Sequence, residues 1–246
     1  ILGRDLSNTG VTASPEHPGA KVPMLAFGGN VFDESESVQI VGSLLKPQYV
    51  KFGHPHPSIE VFASSYRGYA PNDRASLGSP GQAILVDDAE ALLDRVLASD
   101  IGNRSGGKVL VAGFSIGCAV SLQLCARRPE AIAGIILASP WASLWEMALQ
   151  FLTPWSYAFV LWLWVTDKFD SVAAAGSLPH NVPVAILSAS ADEIISPYQH
   201  KKIYDALETD QKWFLPTANA CHGCIYLEAA AQQDQIEDWL RVSCHN

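Results

Sequence analysis

The sequence predicts an α/β domain in which helices cover both faces of a mostly parallel β-sheet. Strand-like and helix-like segments alternate along most of the chain. Two strand-like segments, KVLVAGF (108–114) and AIAGIILAS (131–139), are continuous apolar runs, as is typical of parallel strands buried on both faces. The 246 residues, of which 48% are hydrophobic, are enough to bury one large core, so we expect a single domain over residues 1–246.

The first half of the chain contains two strand–helix units. The run VPMLAF (22–27) leads into Gly28-Gly29-Asn30, which predicts a buried strand followed by a loop. Residues 34–45 carry apolar side chains at helical spacing, and Pro47 is expected to end that helix. The run SIEVFASSY (58–66) predicts the next strand.

The same alternation continues to the end of the printed sequence. Residues 83–100 place one apolar face at the helical period, which predicts an amphipathic helix. The further predicted elements are the strand 108–114, a helix ended by Pro129, the strand 131–139, the strand 183–190, a helix over 196–208, the strand 211–216 and a helix from about 225 to 242.

One segment, at about residues 140–170, interrupts this alternation. It holds five of the seven tryptophans, and its uncharged stretch from Met147 to Thr166 approaches the length of a membrane span. Pro154 interrupts that stretch, and Trp, Tyr and Thr dilute its hydrophobicity. We therefore predict one or two helices that cover the sheet as a small cap, rather than a membrane span.

Charge and cysteine content restrict the possible partners and the compartment. The formal net charge is −9, which argues against a nucleic-acid partner, because phosphate binding needs basic surface. Five cysteines in a chain of this size do not indicate a disulfide framework, and residues 1–20 lack a signal-peptide pattern. These observations favour a cytoplasmic location.

The pentapeptide Gly113-Phe114-Ser115-Ile116-Gly117 lies between a predicted strand and a predicted helix. Gly-x-Ser-x-Gly in this context is typical of a nucleophile elbow, a sharp turn that holds a serine up for attack. The other interpretation is an ordinary strand–helix turn that happens to carry a serine. The strand before it and the apolar helix after it favour Ser115 as a nucleophile.

A nucleophilic serine needs a base and an acid that orients the base. Asp192 directly follows the strand 183–190, at the sheet edge where sites of open α/β folds lie, so it is the predicted acid. Glu193 is a weaker candidate, and Asp167 and Asp170 are the runners-up.

The base is predicted to be His222, which alone among the seven histidines follows a strand after the acid. The chain order Ser115, Asp192, His222 agrees with the order typical of a Ser-His-Asp triad on this kind of sheet. His200, beside Lys201 and Lys202, is expected on a solvated helix face.

Backbone N–H groups are expected to form the oxyanion hole. One belongs to Ile116, next to the nucleophile, and the other to Asn30, with Gly29 as the alternative. Cys221 and Cys224 flank His222 and suggest a redox or metal role, but no second pair lies at zinc spacing. No metal or organic cofactor is therefore expected.

At these residues the chain resembles the α/β-hydrolase superfamily, with triad-like segments at 113–117, 190–197 and 220–223. It looks most like a branch of serine hydrolases that includes membrane-associated lipid hydrolases and protein depalmitoylating enzymes. The segments that carry this narrower resemblance are residues 27–30, 66–69 and 167–171. Gly28-Gly29 replaces the His-Gly that is usual in that branch, and Ala70 replaces a glycine. The resemblance implies the α/β-hydrolase fold, with the small helical cap at about 140–170.

The predicted triad implies acyl transfer to water through an acyl-enzyme on Ser115. Trp141 and Trp145 in the cap are candidate substrate-binding residues, which favours a small-molecule or lipid ester or thioester with an apolar acyl chain. The cap also suggests peripheral membrane contact.

Packing of these tryptophans onto the sheet is the structural alternative to substrate binding. A small-amide peptidase, an acyl transferase or a non-catalytic binding protein on the same scaffold are the competing functions.

Overall fold

The computed structural model describes residues 2–5, 22–29, 34–51, 59–66, 81–151 and 167–245. Within them the chain forms a seven-stranded sheet with the strand order β1-β3-β2-β4-β5-β6-β7. The strands are β1 (Leu2–Asp5), β2 (Val22–Phe27), β3 (Ile59–Ala63), β4 (Val109–Phe114), β5 (Ile132–Ala138), β6 (Val184–Ala189) and β7 (Lys212–Thr217).

Six of these strands are parallel, as predicted. The pairs β2–β3, β2–β4, β4–β5, β5–β6 and β6–β7 all run in the same direction. The short edge strand β1 pairs antiparallel with β3, from Leu2 opposite Ala63 to Asp5 opposite Glu60. The sequence of β1, LGRD, has no apolar run, so periodicity did not predict it.

Helices cover both faces of the sheet. They are α1 (Glu34–Lys51), α2 (Gln82–Leu97), α3 (Asp100–Arg104), α4 (Ile116–Arg127), α5 (Leu144–Phe151), α6 (Ser171–Gly176), α7 (Pro197–Ala206), α8 (Ile225–Glu228) and α9 (Gln233–His245). Short 3₁₀ turns cover Pro129–Ala131, His222–Cys224 and Ala229–Gln232.

Each face of the sheet carries its own hydrophobic core. On one face α2, α4, α6 and α7 pack against side chains such as Leu25, Val111 and Leu137. On the other face α1, α8 and α9 pack against alternate side chains of the same strands, such as Met24 and Ala112. This arrangement explains the continuous apolar runs, because every side chain of a central strand is buried on one face or the other.

Two predicted helices differ from the observed ones. Helix α1 continues to Lys51, past Pro47, so the proline does not end the helix as predicted, although it removes one backbone donor. The predicted helix 225–242 is divided into α8, a 3₁₀ turn and α9. A run of alanines and glutamines separates the two apolar faces there.

Of the predicted cap, the structure describes α5, which comes directly after the loop that follows β5. Gln150 on α5 accepts a hydrogen bond from Gln199 (3.1 Å), and Glu146 pairs with Lys202 (2.5 Å), so α5 docks against α7. Residues 152–166 of the predicted cap lie outside the described residues, and with them Trp155, Trp162 and Trp164. No helix among the parts of the chain described here is both long and apolar enough to cross a membrane.

Candidate active site

Ser115 occupies the turn between β4 and α4 in a strained backbone conformation. Its φ of 53° and ψ of −119° are rare for a residue with a side chain, and such a conformation costs about 1–3 kcal/mol. The turn is fixed by its own backbone hydrogen bonds. The Ser115 N–H donates to Ala138 O (3.1 Å), and its carbonyl accepts from Cys118 N (3.0 Å) and from the Trp141 indole (3.2 Å).

The two glycines of the elbow are required by close packing. A Cβ at Gly113 would lie 2.7 Å from Gly117 O and 2.7 Å from Ser121 Oγ. A Cβ at Gly117 would overlap the backbone carbonyls of Phe27 and Gly28, where the loop after β2 crosses the start of α4. The motif therefore reflects both the sharp turn and the close approach of that loop.

We expect Gly117→Ala to destabilise the fold by about 3 kcal/mol, because the added methyl group meets backbone atoms that cannot move aside as a side chain can. Gly223→Ala is the matched control, since a Cβ there would have no heavy atom within 4 Å. Urea denaturation of both variants measures the difference. Equal free energies of unfolding would show that the loop after β2 can move to accommodate the methyl group without destabilising the fold.

The structure brings the three predicted triad residues into one hydrogen-bonded chain. His222 Nε2 lies 3.2 Å from Ser115 Oγ, and His222 Nδ1 lies 2.8 Å from Asp192 Oδ2. The Asp192 side chain is fully buried, and that of His222 is 8% exposed. Each residue follows the carboxyl end of a different strand, β4, β6 or β7, so the parallel sheet places all three at one edge.

The Asp192 carboxylate is oriented by its own loop. Its Oδ1 accepts hydrogen bonds from the N–H groups of Ile194 (3.0 Å) and Ile195 (2.7 Å), and His222 Nδ1 lies 2.8 Å from Oδ2 and 3.0 Å from Oδ1. Burial acts to raise the pKa of Asp192, but the hydrogen bonds from His222 and Ile195 outweigh it and lower the pKa below its usual value. Asp192 is therefore ionised at neutral pH.

The other acidic candidates lie elsewhere. Glu193 accepts a hydrogen bond from the His222 backbone N–H (3.0 Å), which lowers the pKa of Glu193. This carboxylate therefore binds the backbone of the loop that carries His222 and does not contact the imidazole ring. Asp170 accepts from Ala173 N (2.9 Å) and caps α6, and Asp167 lies against Gly81. Among the four carboxylates, only Asp192 contacts the imidazole of His222.

The expectation that His200 faces solvent is wrong. Its side chain is completely buried, with Nδ1 2.9 Å from Ser188 Oγ and Nε2 3.8 Å from Asp192 Oδ2. The i, i+3 spacing of His200 and Ile203, both buried, was the available signal, because these positions share the inner face of α7. The adjacent Lys201 and Lys202 obscured this periodicity.

Stability should depend on pH through His200. Burial lowers the pKa of His200 to about 4, although the Asp192 charge acts in the opposite direction and the nearby His222 adds to the lowering. The folded state then binds a proton less tightly than the unfolded chain, where the pKa is about 6.5. Stability is therefore complete above about pH 6.5 and falls as the pH drops from 6.5 toward 4.

We expect about 2 kcal/mol less stability at pH 5 than at pH 7.5, measured by urea denaturation, from this one histidine. His200→Gln, which does not titrate, should lose that share of the pH dependence. Asp192 affects stability in a different pH range, because its pKa is lowered and its titration changes the free energy of unfolding only below about pH 4. An unchanged pH profile in His200→Gln would contradict the assignment.

Cys221 and Cys224 form a disulfide across the turn that carries His222. The cysteine count did not indicate this bond, because it is a local bridge of three-residue separation and not a framework. In the structure both thiols are consumed by this bond, so neither is present as a free metal ligand. Cys118, Cys125 and Cys244 are free thiols, and burial raises the pKa of all three.

One half of the predicted oxyanion hole lies within the described residues. Ile116 is the first residue of α4, so its N–H belongs to the N-terminal group that has no intrahelical acceptor. Asn30 lies outside the described residues. The loop that leads to it is described as far as Gly29, and its Gly28 carbonyl lies against the elbow and accepts a hydrogen bond from Tyr66 Oη (3.2 Å).

The two tryptophans predicted to bind substrate, Trp141 and Trp145, lie at the start of the predicted cap. Trp141 is only 4% exposed, and its ring packs 5.7 Å from that of Phe169 while its indole N–H bonds to the elbow. Trp145 lies on α5 and is partly exposed. Trp141 thus supports the turn that carries Ser115 directly, and contact of either ring with substrate remains a prediction.

The strand order, the strained serine after β4 and the carboxylate and imidazole that follow β6 and β7 define an α/β-hydrolase fold. The predicted fold class is confirmed. Residues 55–177, half of the chain, match the family model described as serine aminopeptidase, S33. The chain belongs to this family of α/β hydrolases.

Curated relatives agree with this assignment. The chain is 28% identical over 202 residues to the alpha/beta hydrolase domain-containing protein WAV2 of Arabidopsis thaliana, covering 76% of this chain and 58% of that protein. It is 29% identical over 157 residues to protein bem46 of Schizosaccharomyces pombe, covering 64% and 50%. The chain thus spans about half the length of the curated relatives it matches.

A solved structure shows the same fold. The chain resembles a soluble variant of monoglyceride lipase from Saccharomyces cerevisiae, solved in complex with a substrate analog, with a TM-score of 0.63 and 14% identity. The match covers 90% of this chain and 87% of that chain. At this identity the similarity concerns the fold alone.

Proposed function

We propose that this protein is a serine hydrolase that cleaves carboxylic esters or thioesters through an acyl-enzyme on Ser115. The proposal depends on one observation, the continuous hydrogen-bonded path from Asp192 through both ring nitrogens of His222 to Ser115 Oγ. A buried carboxylate, an imidazole and a strained serine in this order are the parts that nucleophilic acyl transfer needs.

In this mechanism His222 Nε2 takes the proton from Ser115 Oγ as the oxygen attacks the acyl carbon. Asp192 stabilises the imidazolium that forms, through its hydrogen bond to Nδ1. The Ile116 N–H, at the start of α4, donates to the developing oxyanion. His222 then returns the proton to the leaving group, and water repeats the sequence to release the acid.

An apolar acyl group is the proposed substrate feature. Aromatic side chains lie near the triad: Phe114 is 5.1 Å from the His222 ring, Trp141 bonds to the Ser115 carbonyl, and Phe169 packs on Trp141. Apolar walls with a few placed polar groups favour a hydrocarbon chain over a charged acyl group. Peripheral membrane contact through the cap is compatible with such a substrate and is part of the proposal.

Labelling with a fluorophosphonate probe tests the chemistry, and a panel of p-nitrophenyl esters from acetate to dodecanoate tests the substrate class. We expect labelling of the wild type and a kcat/KM that rises with chain length before it levels off. Acyl thioesters of the same chains distinguish the two leaving groups. Preference for acetate would contradict the apolar-acyl proposal, and no labelling would favour a non-catalytic binding protein.

Amide cleavage is the second candidate, because the matched family is described as serine aminopeptidase. The same triad can cleave amides, since His222 can protonate an amine leaving group. Amino-acid p-nitroanilides in the same assay separate the candidates. Turnover of these amides faster than that of any ester in the panel would favour the peptidase.

A further inference from the structure

The Asp192 carboxylate faces two imidazoles, of which the mechanism above uses only one. His222 Nδ1 lies 2.8 Å from Oδ2, and His200 Nε2 lies 3.8 Å from the same oxygen. The side chains of His200 and Asp192 have no exposed surface, so they interact without intervening bulk solvent. His200 Nε2 has no hydrogen-bond partner within the described part of the chain, although it is buried.

The contacts of His200 determine where its proton lies. Burial keeps the ring neutral at pH 7, since the pKa is lowered to about 4, so only one ring nitrogen carries hydrogen. If Nδ1 carried it, the bare lone pair of Nε2 would point at a buried carboxylate oxygen. With the hydrogen on Nε2, the Ser188 hydroxyl donates to Nδ1 (2.9 Å) and the N–H dipole faces Asp192. Electrostatics favours the second tautomer.

We propose that His200 is a positioning residue whose Nε2–H holds the Asp192 carboxylate ionised and aligned with the His222 ring. This inference rests on the proposed function, because it concerns the acid of the same triad. The 3.8 Å separation is longer than a hydrogen bond, and a shift of about 0.7 Å would close it to the usual range. Ser188, at the end of β6, sets the ring orientation, so the sheet itself aims this donor.

A neutral second imidazole suits this role better than a cation would. A full positive charge beside Asp192 would compete with the imidazolium that His222 becomes during catalysis, and so weaken the base. A neutral N–H dipole stabilises the carboxylate without adding a unit charge. The Ile194 and Ile195 N–H groups hold Oδ1, and His200 supplies the further donor near Oδ2.

Two amide variants separate the two nitrogens of the ring. In His200→Gln the side-chain amide extends to the position of Nε2 and can place an N–H near Asp192. In His200→Asn the shorter amide reaches only the position of Nδ1, and it retains a partner for Ser188 but loses the donor near Asp192. We expect His200→Asn to lower kcat about tenfold with KM nearly unchanged, and His200→Gln to recover most of that loss.

Combining His200→Asn with Asp192→Ala distinguishes action of His200 through Asp192 from a purely structural role of His200. If His200 acts through Asp192, the double variant should be no slower than Asp192→Ala alone, measured as the rate of fluorophosphonate labelling of Ser115. Urea denaturation of each variant at pH 7.5 confirms that it is folded.

The outcomes distinguish failure of this inference from failure of the proposed function. Full activity in His200→Asn, equal losses in the Asn and Gln variants, or additive losses in the double variant would overturn the positioning role while the triad stands. A wild type whose Ser115 is never labelled would overturn the proposed function and this inference with it.

Discussion

Replacement of Ser115 by alanine is expected to reduce kcat by about 10⁵-fold or more, because the acyl-enzyme of the proposed mechanism forms on its hydroxyl. Ser115 Oγ is the only reacting atom that His222 Nε2 contacts, at 3.2 Å, among the described residues. Removal of a hydroxyl leaves the strained turn and its backbone hydrogen bonds in place, so the variant should fold.

Fluorophosphonate labelling and ester hydrolysis measure this effect, with Ser105→Ala as the control. Ser105 precedes β4, at the sheet edge opposite the site, and its hydroxyl bonds to the local carbonyls of Gly102 and Lys108. Labelling of Ser105→Ala should match that of the wild type. If Ser115→Ala were labelled equally well, another residue would be the nucleophile.

Asp192→Asn is expected to lower kcat by about 10⁴-fold with little loss of folding. The N–H groups of Ile194 and Ile195 both point at Oδ1, so the amide oxygen should take that position. The NH₂ group then faces His222 Nδ1, 2.8 Å away, and forces the ring proton onto Nε2. In that tautomer Nε2 cannot accept the proton of Ser115.

Glu193→Gln is the matched control, since it neutralises the adjacent carboxylate. Its amide oxygen can still accept the hydrogen bond from the His222 N–H, so the loss in kcat should stay within about threefold. Steady-state kinetics of both variants over pH 6–9 measures the contrast. Similar losses in the two variants would mean that the negative charge of the region matters, and not the specific contact with Nδ1.

Much of the fold followed from local patterns. The strands β2, β4, β5 and β6 coincide closely with apolar runs. Strands buried on both faces carry apolar residues at nearly every position, so the run marks the strand clearly. The edge strand β1 has no such pattern and was not predicted. The continuation of α1 past Pro47 was also not predicted, because a proline inside a helix usually marks its end.

The candidate site was predictable where a residue's role follows from its place in the chain order. Ser115, Asp192 and His222 each follow a predicted strand, and parallel strands present their carboxyl ends at one edge. Glu193 was considered only as a weaker candidate acid and His200 was wrongly expected on a solvated face, since their roles depend on which atoms face His222 and Asp192. The disulfide between Cys221 and Cys224 was likewise a matter of local geometry.

The order of strands, helices and polar residues along the chain determined by itself that this protein has an α/β-hydrolase fold with a serine, an acid and a histidine at one edge of the sheet. Only the tertiary structure decided how far apart those groups lie, which carboxylate meets the imidazole, and that a second histidine is buried behind the acid. The reason is physical. Periodicity records which side of an element is buried, whereas hydrogen bonds and charge interactions depend on atomic separations that only the packed fold determines.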